Sequence, residues 1–392
     1  MNVLNRLDAD QNWNPEESML LDSVRQLARE RIAPRAAHYD KTGEFPWENV
    51  AAINALGLNA MFIPEEYGGA PMSYACYLAC VREISQACAS TGIIWATNFH
   101  AVKPIMDFGS EEQKQRLLPR IAEGGLAALV ITEPSAGSDA TGMKTSFKPE
   151  GDEIIVNGNK IFISNGDVAD LYVVFGKWTE IEGSKESISA LILEKGTPGF
   201  SVTGTEDKMG TRASGTASLS FDQARVSRAN LLMGPGEGLS VLLGSLNKSR
   251  PSVAAHALGI ARAAFEDAIE YMNDRSQSGK RLLEFQGLQF NVADLAAELV
   301  LVESWLWRVA KLIESDAPNV GIEASILKLK ATDIAMRIAT DAVQFLGGYG
   351  YCKDYRVERL MRDAKITQIW EGTNQIHRQL IGRSFLKKDK KK

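Results

Sequence analysis

Residues 152–164 read DEIIVNGNKIFIS, and their reading decides how the chain is divided. Isoleucine, valine and phenylalanine crowd two short runs, EIIV and NKIFIS, on either side of Asn157-Gly158. β-Branched and aromatic side chains suit a pleated, half-buried surface. An Asn-Gly pair between two such runs predicts a two-residue hairpin turn. The pattern spreads outward in both directions: LAALVI from Leu126, LYVVFGK from Leu171, SISALILEK from Ser187 and ASLSFD from Ala217. Gly and Ser are frequent between the runs, as a compact sandwich or barrel requires. A small all-β unit is therefore expected over residues 126–232.

Both flanks follow a different period. Asn14-Pro15-Glu16-Glu17 predicts a helix start, with a capping side chain, a proline in the first turn and two acids at the positive end of the dipole. Leu20, Val24, Leu27 and Ala28 follow at helical spacing. Trp47–Leu56, Ser73–Cys88 and Glu111–Ala122 read the same way, punctuated by Gly68-Gly69 and Gly124-Gly125. Beyond Pro235, Ala254, Ala257, Leu258, Ala261, Ala264, Phe265, Ala268 and Met272 recur every three or four residues, an apolar face fit for a bundle. Phe290–Ile313 and Ile322–Leu346 repeat it. The expected fold is multi-domain α+β: helices over 1–125, the β unit over 126–232, and a helical bundle over 233–392.

Composition narrows the function. Hydrophobic residues make up 45% and charged residues 24% of 392, ordinary for a globular chain. The net charge of −5 argues against a general nucleic-acid binder. The basic cluster Lys387, Lys388, Lys390, Lys391 and Lys392 reads as a solvated tail and is given no role. Cys76, Cys80, Cys88 and Cys352 are too few and too clustered for a disulfide framework, which points to a reducing compartment. Histidine occurs only at 38, 100, 256 and 377, so no metal set is expected. MNVLNRLDADQNW lacks a signal-peptide core, and no apolar run approaches a membrane span. A cytoplasmic protein is expected, with no nucleic acid and no membrane among its partners.

Four stretches carry chemistry. In residues 366–380, ITQIWEGTNQIHRQL, Glu371 stands between Trp370 and Gly372, where apolar residues give way to a break. In LVITEPSAGSDATGM, Leu129–Met143, small residues after a strand let backbone N–H groups approach an anion or a flat ring. KIFISNG, Lys160–Gly166, sets aromatic Phe162 and hydroxyl Ser164 on one side of a strand, or else is an edge strand with a core aromatic. QFLGGYG, Gln344–Gly350, ends a helix with two bare glycines.

Together, in this order and on this architecture, these stretches resemble the acyl-CoA dehydrogenase family of flavoenzymes, over about residues 15 to 385. ITEPSAGSD resembles one family signature and Gln344–Gln375 a second. The resemblance implies a C-terminal four-helix bundle and bound FAD. Leu129, Ile131, Thr132, Gly137 and Ser138 then line the flavin. Phe162 lies against its ring where the family commonly has Trp, and Ser164 sits near N5 where it commonly has Thr. Arg275 and Gln277 meet the diphosphate of a neighbouring subunit's flavin, since arginine pairs bidentately with phosphate. Gln286, Gln344, Gly347, Gly348, Thr373 and Gln375 complete the dinucleotide site. The acyl-CoA is met by Ser138, Asn247, Arg250, Trp370 and Gly372. The alternative for Arg250 is a helix-start salt bridge. Trp95 and Phe99 close a shallow pocket for a short, branched or cyclic acyl group, with Asn98 or His100 available to a polar tail.

Glu371 then has a task. A proton beside a thioester is weakly acidic, and a carboxylate shut away from water is a stronger base for it. The implied reaction is α,β-dehydrogenation, with Glu371 taking the α-proton, the flavin taking the β-hydride, and electrons passing to an electron-transfer flavoprotein. Some family members place the base one residue before Arg250; here that residue is Ser249, which cannot serve. The shared flavin contact implies a homotetramer, a dimer of dimers. An acyl-CoA oxidase or β-eliminating relative, and a non-catalytic binding member, are the alternatives.

Overall fold

A computed structural model describes residues 3–9 and 11–386. The N-terminal helices are α1 (Val3–Ala9), α2 (Pro15–Leu27), α3 (Ala36–Thr42), α4 (Trp47–Ala55), α5 (Tyr74–Ala87), α6 (Ala89–Phe108) and α7 (Glu111–Ala122). Their ends are set by the expected chemistry. Asn14 Oδ1 accepts from Glu17 N at 2.8 Å while Glu17 Oε2 accepts from Asn14 N, a reciprocal cap. The other Glu17 oxygen accepts from Ser73 N at 3.0 Å and ties α2 to the start of α5. Ser110 and Gln113 cap α7 in the same way, and the Gln113 amide donates to Ala229 O and Leu231 O in the β unit.

The β unit contains β1 (Ala127–Val130), β2 (Ser146–Glu150), β3 (Glu153–Ser164), β4 (Leu171–Trp178), β5 (Ile188–Glu194), β6 (Phe200–Thr205), β7 (Thr216–Ser227) and β8 (Leu231–Leu232). They form one sheet in the order β6-β7-β3-β2-β4-β5-β8, with β1 parallel to β4. Phe147, Val156, Tyr172, Trp178, Leu191 and Phe221 are among the side chains of its own buried core.

The hairpin expected at Asn157-Gly158 is not there. β3 runs through it, and the chain reverses at Gly151-Asp152, where Glu150 pairs with Glu153. Asn157-Gly158 instead forms a bulge against β7, where the register shifts between Val156 and Gly158. Asn157 Oδ1 accepts from the backbone N and side-chain amide of Gln223, both at 2.9 Å. With β2 and β7 pairing on either side, the local turn signal is overridden. A Cβ at Gly158 would come within 2.5 Å of Thr145 Oγ1, so glycine serves close approach there.

After the β unit come α8 (Gly238–Asp274), α9 (Gln286–Glu314), α10 (Gly321–Leu346), α11 (Gly348–Tyr351), α12 (Val357–Thr367) and α13 (Asn374–Ser384). α8, α10, α5 and α6 share one continuous apolar core. The β unit is bolted on both sides: Asn165 Nδ2 donates to Ile94 O of α6 at 3.0 Å, and Thr211 N donates to Asp363 Oδ1 of α12 at 2.5 Å. Burial pushes Asp363 up to about 6. Cys76, Cys80 and Cys88 are buried free thiols and Cys352 is exposed. Among the described residues no helix is long and apolar enough to cross a membrane. Residues 387–392, with the lysine tail, lie outside the described residues.

Candidate active site

Glu371 sits in the turn between α12 and α13 with φ 51°, and Gly372 follows at φ 89°. A left-handed conformation costs a non-glycine residue roughly 1–2 kcal/mol and persists only where its surroundings enforce it. Here they do. Lys328 of α10, fully buried, donates from Nζ to Gly372 O at 2.7 Å and to Asn374 Oδ1 at 3.0 Å. His377 Nε2 lies 3.2 Å from Glu371 O, and Asn374 N donates to Gln368 O at 3.0 Å. Burial lowers the Lys328 ammonium to about 7 against the opposing pull of Glu371, with Arg250 adding repulsion. Burial also brings His377 down to about 3.

The carboxylate points inward, its side chain 16% exposed. Oε2 accepts from Ser249 Oγ of α8 at 2.9 Å, and Oε1 lies 3.7 Å from His100 Nδ1 of α6. Arg250 is buried within α8, its Nη1 3.3 Å from Asn247 Oδ1 and 3.4 Å from Ser325 Oγ. Its Nε has no partner, and among the described residues it pairs with no carboxylate. The helix-start salt bridge is thus excluded, and a buried guanidinium with an unfilled donor faces this site. Trp370 is half-buried, its Nε1 unpartnered, its ring 5.5 Å from that of His256 in an edge-on contact. His256 Nε2 lies 2.9 Å from Ala89 O, and burial depresses its pKa to about 4.

Trp95 and Phe99 are buried in an aromatic cluster with Tyr77 and Phe62. Tyr77–Phe99 ring centres stand 4.5 Å apart and Tyr77–Trp95 centres 5.3 Å apart. Asn98 is not free for a polar tail: its Oδ1 accepts from Ala127 N at 2.8 Å and its Nδ2 donates to Gly125 O at 3.2 Å. It splices α6 to β1. His100 is a buried imidazole whose Nε2 lies 2.5 Å from Ser252 Oγ, so that nitrogen is not free for a polar tail either.

The loop after β1 packs beside the end of β3. Ile161 N donates to Thr132 O at 2.9 Å, and Lys160 Nζ donates to Ile131 O at 2.8 Å and Glu133 Oε1 at 2.9 Å. Glu133 also accepts from Lys144 N and Thr145 N. Burial opposes its ionisation, yet Lys160 and these donors hold its carboxyl below the usual range, while burial lowers Lys160 to about 8. So clamped, the loop presents half-buried Leu129, Ile131 and Thr132 and exposed Gly137 and Ser138. Phe162 is neither a core aromatic nor on an edge strand: β3 is central, and Phe162 stands 60% exposed at φ 60°, inside the register shift from Lys160 to Ile163. Ser164 is half-buried beside it. An exposed ring next to a loop with open space at Gly137 fits a flat aromatic cofactor.

Thr373 and Gln375 line a cavity of about 320 Å³ with Asp333, Lys365, Gln368 and Arg378. Arg275, Gln277, Gln286, Gln344, Gly347 and Gly348 are all exposed at the other end of the bundle, with the Arg275 guanidinium 5.9 Å from the Tyr349 ring centre. At 1.5 Å per residue, Arg275 is roughly 40 Å along α8 from Ser249, and Gln344 about 24 Å along α10 from Lys328. Within one chain this group does not reach Glu371. Sequence reasoning missed Lys328 as the turn's anchor, although a lysine on the apolar face of α10 beside Ala324 and Leu327 was a signal. It also missed Ser249 as a donor to Glu371, which has no local signature.

Two helical units around a β unit, with an inward carboxylate on an enforced turn, define a three-part α+β enzyme fold. The sequence matches the acyl-CoA dehydrogenase N-terminal domain over residues 14–125, the middle domain over 128–224 and the C-terminal domain over 236–386. An acyl-CoA dehydrogenase of Bacillus subtilis (strain 168) is 42% identical over 373 residues, 95% of this chain and 98% of that one. A cyclohexane-1-carbonyl-CoA dehydrogenase of Geobacter metallireducens is 39% identical over 378 residues, 96% and 99% of the two chains. The structure of butyryl-CoA dehydrogenase from Megasphaera elsdenii superposes with a TM-score of 0.93 at 37% identity, covering 96% of this chain and 99% of its own. The chain belongs to the acyl-CoA dehydrogenase family and is an oxidoreductase.

Proposed function

We propose that the chain is an FAD-dependent acyl-CoA dehydrogenase that converts a short, branched or cyclic acyl-CoA to its trans-2-enoyl-CoA, with Glu371 as the base. The observation that carries this reading is the inward Glu371 carboxylate on a strained turn anchored by Lys328. Strain of this kind collects at working sites. Ser249 fixes one carboxylate oxygen and leaves the other to face the interior. Gly372, with no side chain, admits the thioester close to the turn, and Trp370 helps to shut out water. Asn247 and Arg250 serve the CoA ester, and the unfilled Arg250 Nε supports that role. Leu129, Ile131, Thr132, Gly137, Ser138, Phe162 and Ser164 would hold the isoalloxazine end of FAD, with Thr373 and Gln375 beside them. When bound, the flavin supplies the acceptor for the β-hydrogen, which leaves as hydride. Arg275, Gln277, Gln286, Gln344, Gly347 and Gly348 would serve the cofactor of a second subunit, in a dimer-of-dimers tetramer. The buried Trp95–Tyr77–Phe99 cluster supports a small acyl group.

The test is anaerobic flavin reduction with a panel of acyl-CoAs, followed by reoxidation with an electron-transfer flavoprotein. Bleaching by short, branched or cyclic thioesters is expected. Bleaching by none overturns the activity, preference for long straight chains overturns the pocket, and rapid reoxidation by oxygen with peroxide makes it an oxidase.

A further inference from the structure

Three of the four histidines, at 100, 256 and 377, are buried around the Glu371 turn, and only His100 faces the carboxylate. Its hydrogen bonding assigns its tautomer. Ser252 Oγ spends its single proton on Ser249 O at 2.7 Å, so it accepts from His100 Nε2 at 2.5 Å. Nε2 is therefore the protonated nitrogen, and Nδ1 is bare. That bare nitrogen stands 3.7 Å from Glu371 Oε1. Two acceptors that face each other in a buried site have no hydrogen between them, and each favours the arrival of one. Ser249 already satisfies Oε2, so a proton arriving on the carboxylate has Oε1 as its open oxygen.

We propose that His100 is the second holder of the α-proton: once Glu371 has taken it, Oε1–H closes on His100 Nδ1 and the two groups share it. This rests on the dehydrogenase reading above. The Cα–H bond breaks, an O–H bond forms on Glu371, and sharing with nitrogen moves that proton without any change in electrons. His100 thus acts through Glu371 as a positioning residue that stabilises the state after proton removal. Catalytic hydrogen bonds that are long in a substrate-free site often tighten only once the substrate is bound.

The surroundings keep His100 ready to accept. Burial lowers its pKa, with the Glu371 charge opposing, so the resting imidazole is neutral. From α8, His256 is held neutral near 4, and from α5 burial drives the Tyr77 phenol well above the ordinary tyrosine range. Arg250 and Lys328 are the cations around Glu371, and neither contacts the carboxylate. Ser252 cannot pass the proton onward while it donates to Ser249 O. The shared proton stops at this pair.

The experiment compares wild type with His100→Gln, which keeps a donor for Ser252 but has no basic nitrogen, and His100→Leu. FAD content and melting temperature certify the fold of each. The first readout is the equilibrium extent of anaerobic flavin reduction by acyl-CoA against pH. His100→Leu is expected to lose about tenfold in the reduction equilibrium at neutral pH, as for one lost hydrogen bond, and to fall off at lower pH than wild type, whereas His100→Gln, whose amide oxygen can still accept from Oε1–H, should lose less. The second is ¹⁵N NMR of labelled histidine in the substrate-free protein, where His100 should show a bare Nδ1 and a protonated Nε2. His100→Leu with the wild-type extent and profile, or a protonated resting Nδ1, overturns the proposal. Glu371→Gln and wild type run alongside separate the failures: if wild type is bleached by no acyl-CoA, the dehydrogenase reading itself fails, and if Glu371→Gln bleaches like wild type, Glu371 is not the base and no proton reaches the pair. If Glu371→Gln is silent while His100→Leu matches wild type, only the proton sharing fails.

Discussion

Lys328→Met removes the tether of the Glu371 turn while keeping the side chain's length. Lys328 Nζ supplies the hydrogen bonds to Gly372 O and Asn374 Oδ1. Asn374 Oδ1 keeps a second neighbour, Thr332 Oγ1 at 3.2 Å. Gly372 O loses its charged donor and keeps only the nearby His377 imidazole. A hydrogen bond to a charged donor stabilises by about 1.5–3 kcal/mol, against a left-handed backbone at Glu371 that costs about 1–2 kcal/mol. With the tether gone the strain is no longer outweighed, and the turn relaxes. The global effect is smaller, because a buried ammonium is itself costly and an apolar replacement is often near neutral. Lys328→Met should therefore unfold within about 2 kcal/mol of wild type in urea yet reduce its flavin about ten- to a hundredfold more slowly at saturating acyl-CoA. Stopped-flow reduction beside urea melts reads both quantities. Wild-type reduction rates in this variant would refute the anchoring argument.

Three other outcomes follow from the same contacts. Glu133→Leu strands the buried Lys160 ammonium, which should cost roughly 3–5 kcal/mol in urea unfolding; an unchanged midpoint would show the pair to be dispensable. His256 and His377 have folded pKa values depressed to about 4 and about 3, whereas the unfolded chain titrates near 6.5. Stability is therefore fully present above about 6.5 and is lost as pH falls toward the folded values, with a slope approaching about 2.7 kcal/mol per pH unit near pH 5. His256→Gln should halve that slope, and an unchanged slope would show that the imidazole protonates freely in the fold. Arg275→Ala, exposed at the end of α8, should leave circular dichroism intact while flavin is lost on dialysis; full flavin retention would count against a shared cofactor site.

The parts of the fold legible in the sequence are those governed by near neighbours. The Asn14–Glu17 cap, the Ser73 and Ser110 starts and the glycine stop after Leu346 follow from chemistry within four residues. Asn157-Gly158 misled because its meaning is set by β2 and β7, which flank it and turn a local reversal signal into a bulge. The site shows the same division. Glu371 and its glycine are readable in one motif, but the groups that position it come from Ser249, Lys328 and His100, on three other helices. Asn98 looked chemically available in isolation and proves to be used up by backbone groups 27 and 29 residues away. Polar residues on long helices carry no mark of which partner the fold will bring to them.

Glu371→Gln, loaded with FAD and mixed anaerobically with acyl-CoA, shows whether this carboxylate is the base. The amide keeps the size of the side chain and can still accept from Ser249, but it cannot take a proton from carbon. The variant should hold its flavin, bind the thioester and bleach at least about a hundredfold more slowly than wild type. Bleaching at the wild-type rate would contradict that role for Glu371.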